Sequence, residues 1–358
     1  MEEQQQLTNK ELRKNIFVIV WPVFVEVLLG ALFGMVDMMM VGKISGDSAA
    51  AVSAVGMTNQ PMFLGLSLIQ ALNVGGTAII ARYFGAKKFN RMGNILKHVM
   101  ILAMIFCVTP TAIFMIIFAP EILSMLGGDA TVINVGVDYF RIVTIGFIFQ
   151  SLSFTVTADL RGIGETKIPM KNNIIANSCN VLGNAILIYG MFGLPALGVT
   201  GAAIATALSN FIAMVLNVRY ILSGKSVLKL DFKEKFEFSF DVMRDLVRIG
   251  IPTALEQMAL RFGVIMFLKI VSGLGNNVYA AHQIALNVLS LSYSPAQAFG
   301  ITASSLMGQS LGAKDEKLAE RYTKMCQRIG LTLAIMMSVS IYFGASLLAG
   351  LYTDNVEI

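Results

Sequence analysis

The sequence predicts an all-α integral membrane protein, and three features point to it: composition, long apolar segments and the placement of charges. Hydrophobic residues make up 56% of the 358 residues and charged residues only 14%, with a mean hydropathy of +0.70. Soluble domains carry about 25% charged residues, so we expect this chain to be solvated mainly by lipid. Its apolar runs are continuous rather than alternating, which favours transmembrane helices over a β-barrel.

About nine segments are long enough to cross a bilayer, which needs about 20 apolar residues per helix. They lie at 16–41, 50–81, 92–118, 131–158, 168–190, 198–221, 246–271, 278–308 and 321–346. The polar start at 1–15 leads into the first segment without a small-residue cleavage site, so we expect this helix to be retained.

The basic residues predict how these helices are oriented. With the N-terminus in the cytoplasm, 23 of the 27 Lys and Arg residues fall on the cytoplasmic side, while Lys43 falls outside and three lie within spans. This asymmetry follows the positive-inside rule and predicts a multi-pass protein of the cell inner (plasma) membrane with a cytoplasmic N-terminus. It also explains the net charge of +5 without a nucleic-acid partner. Membrane lipids are the expected surroundings.

Two short motifs occur twice in the same order. "WPVFVE" (21–26) resembles "IPTALE" (251–256), and "YFGAKK" (83–88) resembles "SLGAKD" (310–315), at offsets of 230 and 227 residues. With an even number of helices per repeat, both copies keep one orientation, as in transporters whose halves are related by a pseudo-two-fold axis along the membrane normal.

The repeat predicts two lobes. Residues 1–222 form an N-lobe of six helices, 223–240 a polar cytoplasmic linker, and 241–358 a C-lobe that begins with three helices. If the lobes are alike, the second bundle is incomplete here and its remaining three helices are missing. We therefore expect this to be a partial sequence.

The first helix holds two acids, Glu26 and Asp37, in an otherwise apolar stretch. Eleven residues separate them, which places them on nearly one face. One buried acid costs about 2.5–3.5 kcal/mol on insertion scales, and intramembrane acids typically serve ions or protons. Alternatively, each acid caps a neighbouring helix or pairs with an internal base. Ion coupling is the favoured interpretation for Asp37, and both interpretations stay open for Glu26.

The second half offers candidates related to the first. Glu256 is the repeat mate of Glu26, and an ion-coupling role is considered for it as well. Arg261 lies five residues further along the same helix, too far around to face Glu256 squarely, but able to pair with an acid of the other half. It is kept as a possible substrate or coupling residue.

Polar side chains also occur within two other apolar helices. Asn180 and Asn184 share a face at i, i+4, where amides either hold helices together or coordinate ions and substrates. His282 and Gln283 lie mid-helix, where a core hydrogen bond and contact with a proton or substrate are both open.

Enzyme motifs are absent from the sequence. It contains no P-loop, no HExxH and no GxSxG with an arranged His and Asp, and its two histidines make a metal centre unexpected. We therefore expect a secondary active transporter with no cofactor beyond its coupling cation. The 22 Met and 23 Phe residues suit a pliable apolar cavity, although most are expected to pack or to face lipid.

At these residues the chain resembles the multidrug and toxic compound extrusion (MATE) family of bacterial type. The resemblance is carried, in family order, by "WPVFVEVLLGALFGMVDMMMVGKIS", "IIARYFGAKK", "LRGIGETKIPM", "GLPALGVTGAAIAT", "IPTALEQ" and "GQSLGAKD". It implies two bundles of six helices around a large central cavity. It also implies export of cationic or amphipathic drugs driven by entry of Na⁺ or H⁺.

The resemblance also implies roles for single residues. Asp37 matches the family's first-helix aspartate, which takes part in ion coupling, and Asn180 matches an Asn of the fifth-helix motif. Where one branch of the family has Asp in that motif, this chain has Asn184. Members with a C-lobe acidic site often place a Glu one turn after Glu256, where this chain has Leu260.

The predicted function is thus cation-coupled multidrug antiport by alternating access, by a protein expected to be monomeric. One alternative is a lipid-linked oligosaccharide flippase of the same broad superfamily, which would need basic residues lining the cavity. A second is a non-transporting membrane scaffold, against which the repeated buried acid argues.

Overall fold

A computed structural model describes residues 7–44, 48–193, 195–230, 236–272 and 276–350. Regular structure within these ranges is entirely helical. The helices are α1 (Asn9–Gly42), α2 (Ser48–Gly85), α3 (Phe89–Leu102), α4 (Thr109–Ile117), α5 (Ala119–Met125), α6 (Ala130–Gly162), α7 (Lys167–Tyr189), α8 (Gly198–Leu222), α9 (Phe240–Ser272), α10 (Asn276–Gly312) and α11 (Glu316–Gly350). A π-helical segment, Ala103–Val108, joins α3 to α4, so the two form one continuous helical segment.

Six stretches of the described chain are long and apolar enough to cross a membrane by length and composition. They are Asn9–Gly42, Ala51–Gly85, Phe89–Ile117, Ala130–Gly162, Gly198–Leu222 and Glu316–Gly344. The helices α7, α9 and α10 have 23, 33 and 37 residues, which is long enough to span, but they are more polar. Nine transmembrane helices therefore remain a prediction.

Buried apolar clusters hold the helices together. One joins α2, α4, α5 and α6 around Phe140 and Phe147. A second joins α2, α3 and α6 to the segment after α8 through Leu228 and Leu230. A third packs the start of α1 against α10 and α11, with Leu12 and Phe299 among its members. The third cluster therefore brings α1 into contact with α10 and α11.

The repeated "GAK" motif folds the same way in both copies. Lys87 and Lys314 both adopt left-handed backbone conformations, with φ of 59° and 61°. In each copy the following amide bonds back to a carbonyl five residues earlier, Lys88 to Tyr83 and Asp315 to Ser310. This is the hydrogen bonding of a helix that ends on a left-handed residue, so the sequence repeat encodes a repeated helix stop.

The two copies of this motif also touch each other. A Cβ on Gly85 would lie 1.8 Å from the carbonyl oxygen of Gln309, and a Cβ on Gly312 would lie 2.0 Å from that of Arg82. Both contacts are possible only because glycine has no side chain. Gln309 and Gly312 follow Arg82 and Gly85 by 227 residues, so the contact is reciprocal, as across a two-fold axis.

The helices α2, α6 and α10 all end in this part of the molecule, at Gly85, Gly162 and Gly312. We call it the basic end because Lys87 and Lys314 directly follow two of these helix ends. Polar contacts close it further. The Ser305 hydroxyl donates to the carbonyl of Gly162 at 3.0 Å, and the Gln309 amide donates to the same carbonyl at 2.9 Å. Helices of the two halves are therefore in direct contact here.

Candidate functional site

Both acids of α1 accept a hydrogen bond from an asparagine of α7. Asn173 donates to Glu26, and Asn184 donates to Asp37, each across 147 residues of sequence. The acids are eleven residues apart, as are the asparagines. The two helices therefore run parallel and in register, with the two pairs about 16 Å apart along the axis.

The Asp37 pair belongs to a small polar cluster. Asn184 is fully buried, and its amide nitrogen also lies 3.4 Å from Oδ1 of Asn180. Asn180 in turn donates to Oγ1 of Thr206 on α8 at 3.3 Å. The Oδ1 atom of Asn184 is buried and has no hydrogen-bond partner among the described residues. Carboxylate, amide and hydroxyl oxygens, which are ligands for hard cations, thus lie together.

Asp37 itself is half-buried and has no basic partner within the described chain. The ion pairs found there are Arg161–Glu26 and Lys324–Glu320. The cluster therefore carries one acid whose charge no described base compensates.

Glu26 is placed differently. The Arg161 guanidinium lies 2.7 Å from its Oε2, and the side chains of Arg161 and Glu26 are only 18% and 6% exposed. This contact is an ion pair rather than a well-aligned hydrogen bond, because Glu26 Oε2 has no partner with hydrogen-bond geometry. The Glu26 site, with Asn173 as its third member, is thus close to neutral overall.

A cavity of about 660 Å³ opens beside this pair, lined by α1, α2, α6, α7, α8 and α10. Its wall includes the Glu26–Arg161 pair and many neutral polar groups. These are Gln70, Asn73, Thr77, Gln150, Ser153, Thr157, Asn173, Asn177, Ser209, Asn210, Gln297 and Ser304. Drug-sized ligands occupy pockets of about 300–1,000 Å³, so a small organic molecule fits. The described lining contains no Met and one Phe, Phe154, so the cavity is not Met- and Phe-rich, and its amides and hydroxyls are interspersed with smaller apolar side chains.

The candidates of the second half lie elsewhere. Glu256 and His282 line an open, mainly apolar groove between α9 and α10, together with Leu260 and Phe267. Glu256 is exposed, and the His282 ring lies 5.3 Å from that of Phe267. Neither residue lines the cavity or touches the Asp37 cluster.

Arg261 and Gln283 complete the predicted set. The Arg261 guanidinium lies 5.2 Å from the ring centre of Phe63 on α2, a cation–π distance, and among the described residues no acid pairs with it. The side chain of Gln283 lies outside the described part of the structure.

Several residues of these sites were not predicted. In the sequence, Arg161 is one of the cytoplasmic positive charges, and no pattern there distinguishes Asn173 or Thr206 as a site residue. Asn217 was also missed. It accepts from Asn172 at 2.7 Å and donates to Ser153 at 2.8 Å and to Thr157 at 3.3 Å, joining α6, α7 and α8. The sequence feature that points to such residues is the recurrence of Asn in apolar helices, because a buried amide without a hydrogen-bond partner is costly.

Comparisons with known proteins agree on one family. The family model described as MatE matches residues 22–186 and 252–358. "Probable multidrug resistance protein NorM" of Thermotoga maritima is 27% identical over 353 residues, which cover 97% of this chain and 74% of that protein. "Probable multidrug resistance protein YoeA" of Bacillus subtilis is 29% identical over 329 residues, covering 88% and 69%.

The fold is shared with solved structures. A chain described as the outward-facing conformation of a multidrug resistance MATE family transporter superposes with a TM-score of 0.85 at 20% identity. The match covers 96% of this chain and 74% of that one.

Proposed function

The chain belongs to the MatE family of membrane transporters, and on that premise we propose that it exports cationic or amphipathic drugs in exchange for Na⁺ or H⁺. The coupling cation binds at Asp37, with Asn184 and Asn180 as neighbouring polar groups. Exchange follows alternating access, in which cation and drug favour different arrangements of the two halves.

One observation carries this proposal: Asp37 has an amide partner but no described base. A charged group within a membrane protein is expensive unless it is compensated. A mobile cation supplies the missing positive charge. Its binding or release therefore changes the relative stability of the conformations that the transporter can adopt around Asp37. Glu26 lacks this property because Arg161 already compensates it, so we assign Glu26 to the cavity wall.

The cavity supports small polar or amphipathic molecules as substrates. Among the described residues of its wall, Arg161 is the only base, and it is paired with Glu26. A lipid-linked pyrophosphate would need uncompensated positive charge, which favours drug export over the flippase alternative. We also propose that the protein acts as a monomer.

We further propose that the basic end faces the cytoplasm, with the N-terminus on that side of the inner membrane. The positive-inside rule supports this orientation. The N-lobe at 1–222 and the C-lobe from 241, joined in sequence by the linker at 223–240, then meet at the reciprocal contact of Gly85 and Gly312. This contact supports a pseudo-two-fold relation between the lobes.

A second cation site in the C-lobe is a weaker candidate. Glu256 and His282 share one groove, and Leu260, at the position where relatives with a C-lobe site carry the acid, lines the same groove. Glu256 therefore substitutes for that acid from the adjacent turn in our proposal. Arg261, held over Phe63, and Gln283, on the next helix, are possible contacts for substrate.

Drug efflux with Na⁺ and pH varied separately tests the proposal. Cells that lack other exporters would express the chain, its Asp37→Asn variant, or Asp138→Asn as control, and ethidium efflux would be measured. Asp138 is exposed on α6, so its variant should behave as the parent. We expect one cation gradient to drive efflux by the parent and the control, and at least a tenfold loss in Asp37→Asn.

Unchanged efflux by Asp37→Asn would remove Asp37 from the mechanism. A glycan-assembly phenotype without drug sensitivity would favour the flippase instead. Failure of the purified chain to move any ion or drug in liposomes would favour a non-transporting scaffold.

A further inference from the structure

Asp159 of α6 is a buried acid that belongs to neither site described above. Its side chain is 0% exposed, and neither carboxylate oxygen has a hydrogen-bond partner among the described residues. It packs against α2 where that helix carries Gly76. A Cβ on Gly76 would lie 3.0 Å from Oδ1 of Asp159 and 3.0 Å from a methyl group of Val99 on α3. Glycine at position 76 thus makes room for this carboxyl group.

The surroundings of Asp159 are apolar. Ile80, Val99, Val156 and Leu160 belong to the buried cluster shared by α2, α3 and α6. No described Lys, Arg or His forms an ion pair with Asp159.

The titratable groups of the neighbouring helices are engaged elsewhere or lie at helix ends. Arg161 on the same helix pairs with Glu26. On α3, the His98 ring contacts the Asn94 carbonyl through Nδ1 and accepts a hydrogen bond from the Ser239 amide through Nε2. Lys97, also on α3, is engaged in an interaction of its own. On α8, Tyr220 donates to Glu165, and Arg82 and Arg219 lie in the last turns of α2 and α8.

An ionised carboxylate without a partner in such surroundings is strongly disfavoured, whereas a neutral carboxylic acid is tolerated. A metal cation does not solve the problem, because a hard cation requires several oxygen ligands and the described residues offer no group of three His, Cys, Asp or Glu side chains that could hold one. The proton is the one cation that needs no further ligand.

We propose that Asp159 is a proton-binding site, separate from the Asp37 cluster, and that it holds its proton in the conformation described here. Hydronium transfers a proton to a carboxylate oxygen: one O–H bond of hydronium breaks, one O–H bond forms on Asp159, and a water molecule is released. The site does not depend on drug export, since a proton can bind there in a transporter of any substrate.

The position of Asp159 links this proton to the basic end. The Ala158 carbonyl accepts from Thr77 of α2 at 3.0 Å, and Gly162 accepts from Ser305 and Gln309 of α10. Thr77 and Ala158 also line the cavity, so Asp159 lies directly behind its wall. Loss of the proton would leave a negative charge buried between α2 and α6. Deprotonation therefore favours an arrangement in which water enters between these two helices.

Infrared difference spectroscopy on the purified chain tests the site without any substrate. At neutral pH we expect the carbonyl-stretch band of a protonated carboxylic acid, absent in Asp159→Asn and retained in Asp138→Asn. Because Asp159→Asn can fail to fold, the unsubstituted chain with ¹³C-labelled aspartate carboxyl groups provides a second measurement. In the ¹³C NMR spectrum of this labelled chain, one aspartate carboxyl resonance should keep the chemical shift of a protonated acid at neutral pH. A wild-type chain with every aspartate ionised would overturn the proposal, as would a spectrum in which Asp37→Asn removes the whole protonated-acid band and Asp159→Asn leaves it intact.

Hydrogen–deuterium exchange tests the link to the basic end. The unsubstituted chain and Asp159→Asn, which mimics the neutral acid, are compared at each pH so that intrinsic exchange rates cancel. We expect equal exchange of the α2 and α6 amides at low pH, and faster exchange in the unsubstituted chain as pH rises. A ratio that does not change with pH would contradict the link.

Discussion

Asp37 on α1 accepts a hydrogen bond from Asn184 on α7, and the same helices repeat this contact between Glu26 and Asn173. The two pairs differ in one respect: Arg161 reaches Glu26, while Asp37 has no described base. The Glu26–Asn173 contact, near the basic end, is therefore close to neutral overall. The Asp37–Asn184 contact, further along the same two helices, carries net negative charge. This difference in charge, rather than the hydrogen bond, distinguishes the proposed cation site from the cavity wall.

The first prediction uses this difference. Asn184→Asp would place two carboxyl groups in contact, and such pairs hold one proton between them because both cannot ionise together. Asn173→Asp makes the equivalent change beside Glu26, but there Arg161 supplies compensating charge. We expect a new protonated-acid infrared band at neutral pH in the first variant and a weaker or absent one in the second. Equal bands in both variants would show that Arg161 does not compensate the Glu26 site.

The second prediction concerns the Glu26–Arg161 pair. Removing one partner of a buried ion pair costs about 3–5 kcal/mol, while replacing both partners is often neutral. The pair is not fully excluded from water, so we expect Arg161→Met to destabilise the protein by about 3 kcal/mol or less. The double variant Glu26→Gln/Arg161→Met should recover most of this loss.

Thermal unfolding in detergent measures this cycle, with Lys324→Met as the control. Lys324 pairs with Glu320, but both side chains are 62% exposed, so its loss should have little effect. Additive losses in the double variant would mean that Glu26 and Arg161 do not interact.

The third prediction concerns Asn217, which is fully buried and joins three helices of the first half. Asn217→Ala leaves the polar side chains of Asn172 and Ser153 without this partner. Each buried unsatisfied group costs about 1–3 kcal/mol, so we expect a destabilisation of at least about 2 kcal/mol. Asn90→Ala, at an exposed position of α3, should unfold at the parental temperature. A similar unfolding temperature for both variants would contradict a structural role for the network.

The sequence was sufficient to predict the helices because apolar length and charge placement are local properties. The predicted span at 168–190 corresponds to α7 (Lys167–Tyr189), and the span at 198–221 to α8 (Gly198–Leu222). The repeated "GAK" motif was also visible, because a helix stop depends on a few adjacent residues. Its two copies fold alike down to the left-handed lysines.

The sites were predicted only in part, because they depend on which helices become neighbours. Helical periodicity places Asp37 and Asn184 each on one face of its own helix, but it does not show that α1 packs against α7. Arg161, near the end of α6, follows the positive-inside pattern as any interfacial base would, and its contact with Glu26 depends on tertiary packing. Asp159 adjoins "LRGIGE", so nothing in the sequence distinguishes it from an exposed residue of a helix end.

The last prediction concerns the close approach of α2 and α10. Gly85→Ala would bring a methyl group into the Gln309 backbone, and Gly312→Ala would do the same at Arg82. Backbone cannot move aside as a flexible side chain can, so the two helices must separate. Overpacking of this kind costs about 1–3 kcal/mol. Because the contact is reciprocal, we expect similar losses of thermal stability in both variants, together with faster deuterium exchange at the ends of α2 and α10.

Gly56→Ala is the matched control for this prediction. It makes the same substitution within α2 at a position where a Cβ would meet nothing within 4 Å, and alanine is the better helix former. It should therefore unfold at the parental temperature or slightly above it, with unchanged exchange at the basic end. If Gly85→Ala behaves like Gly56→Ala, the glycine contact does not hold the basic end closed. If only one of Gly85→Ala and Gly312→Ala is destabilising, the two halves do not share the contact equally, which argues against a two-fold relation between them.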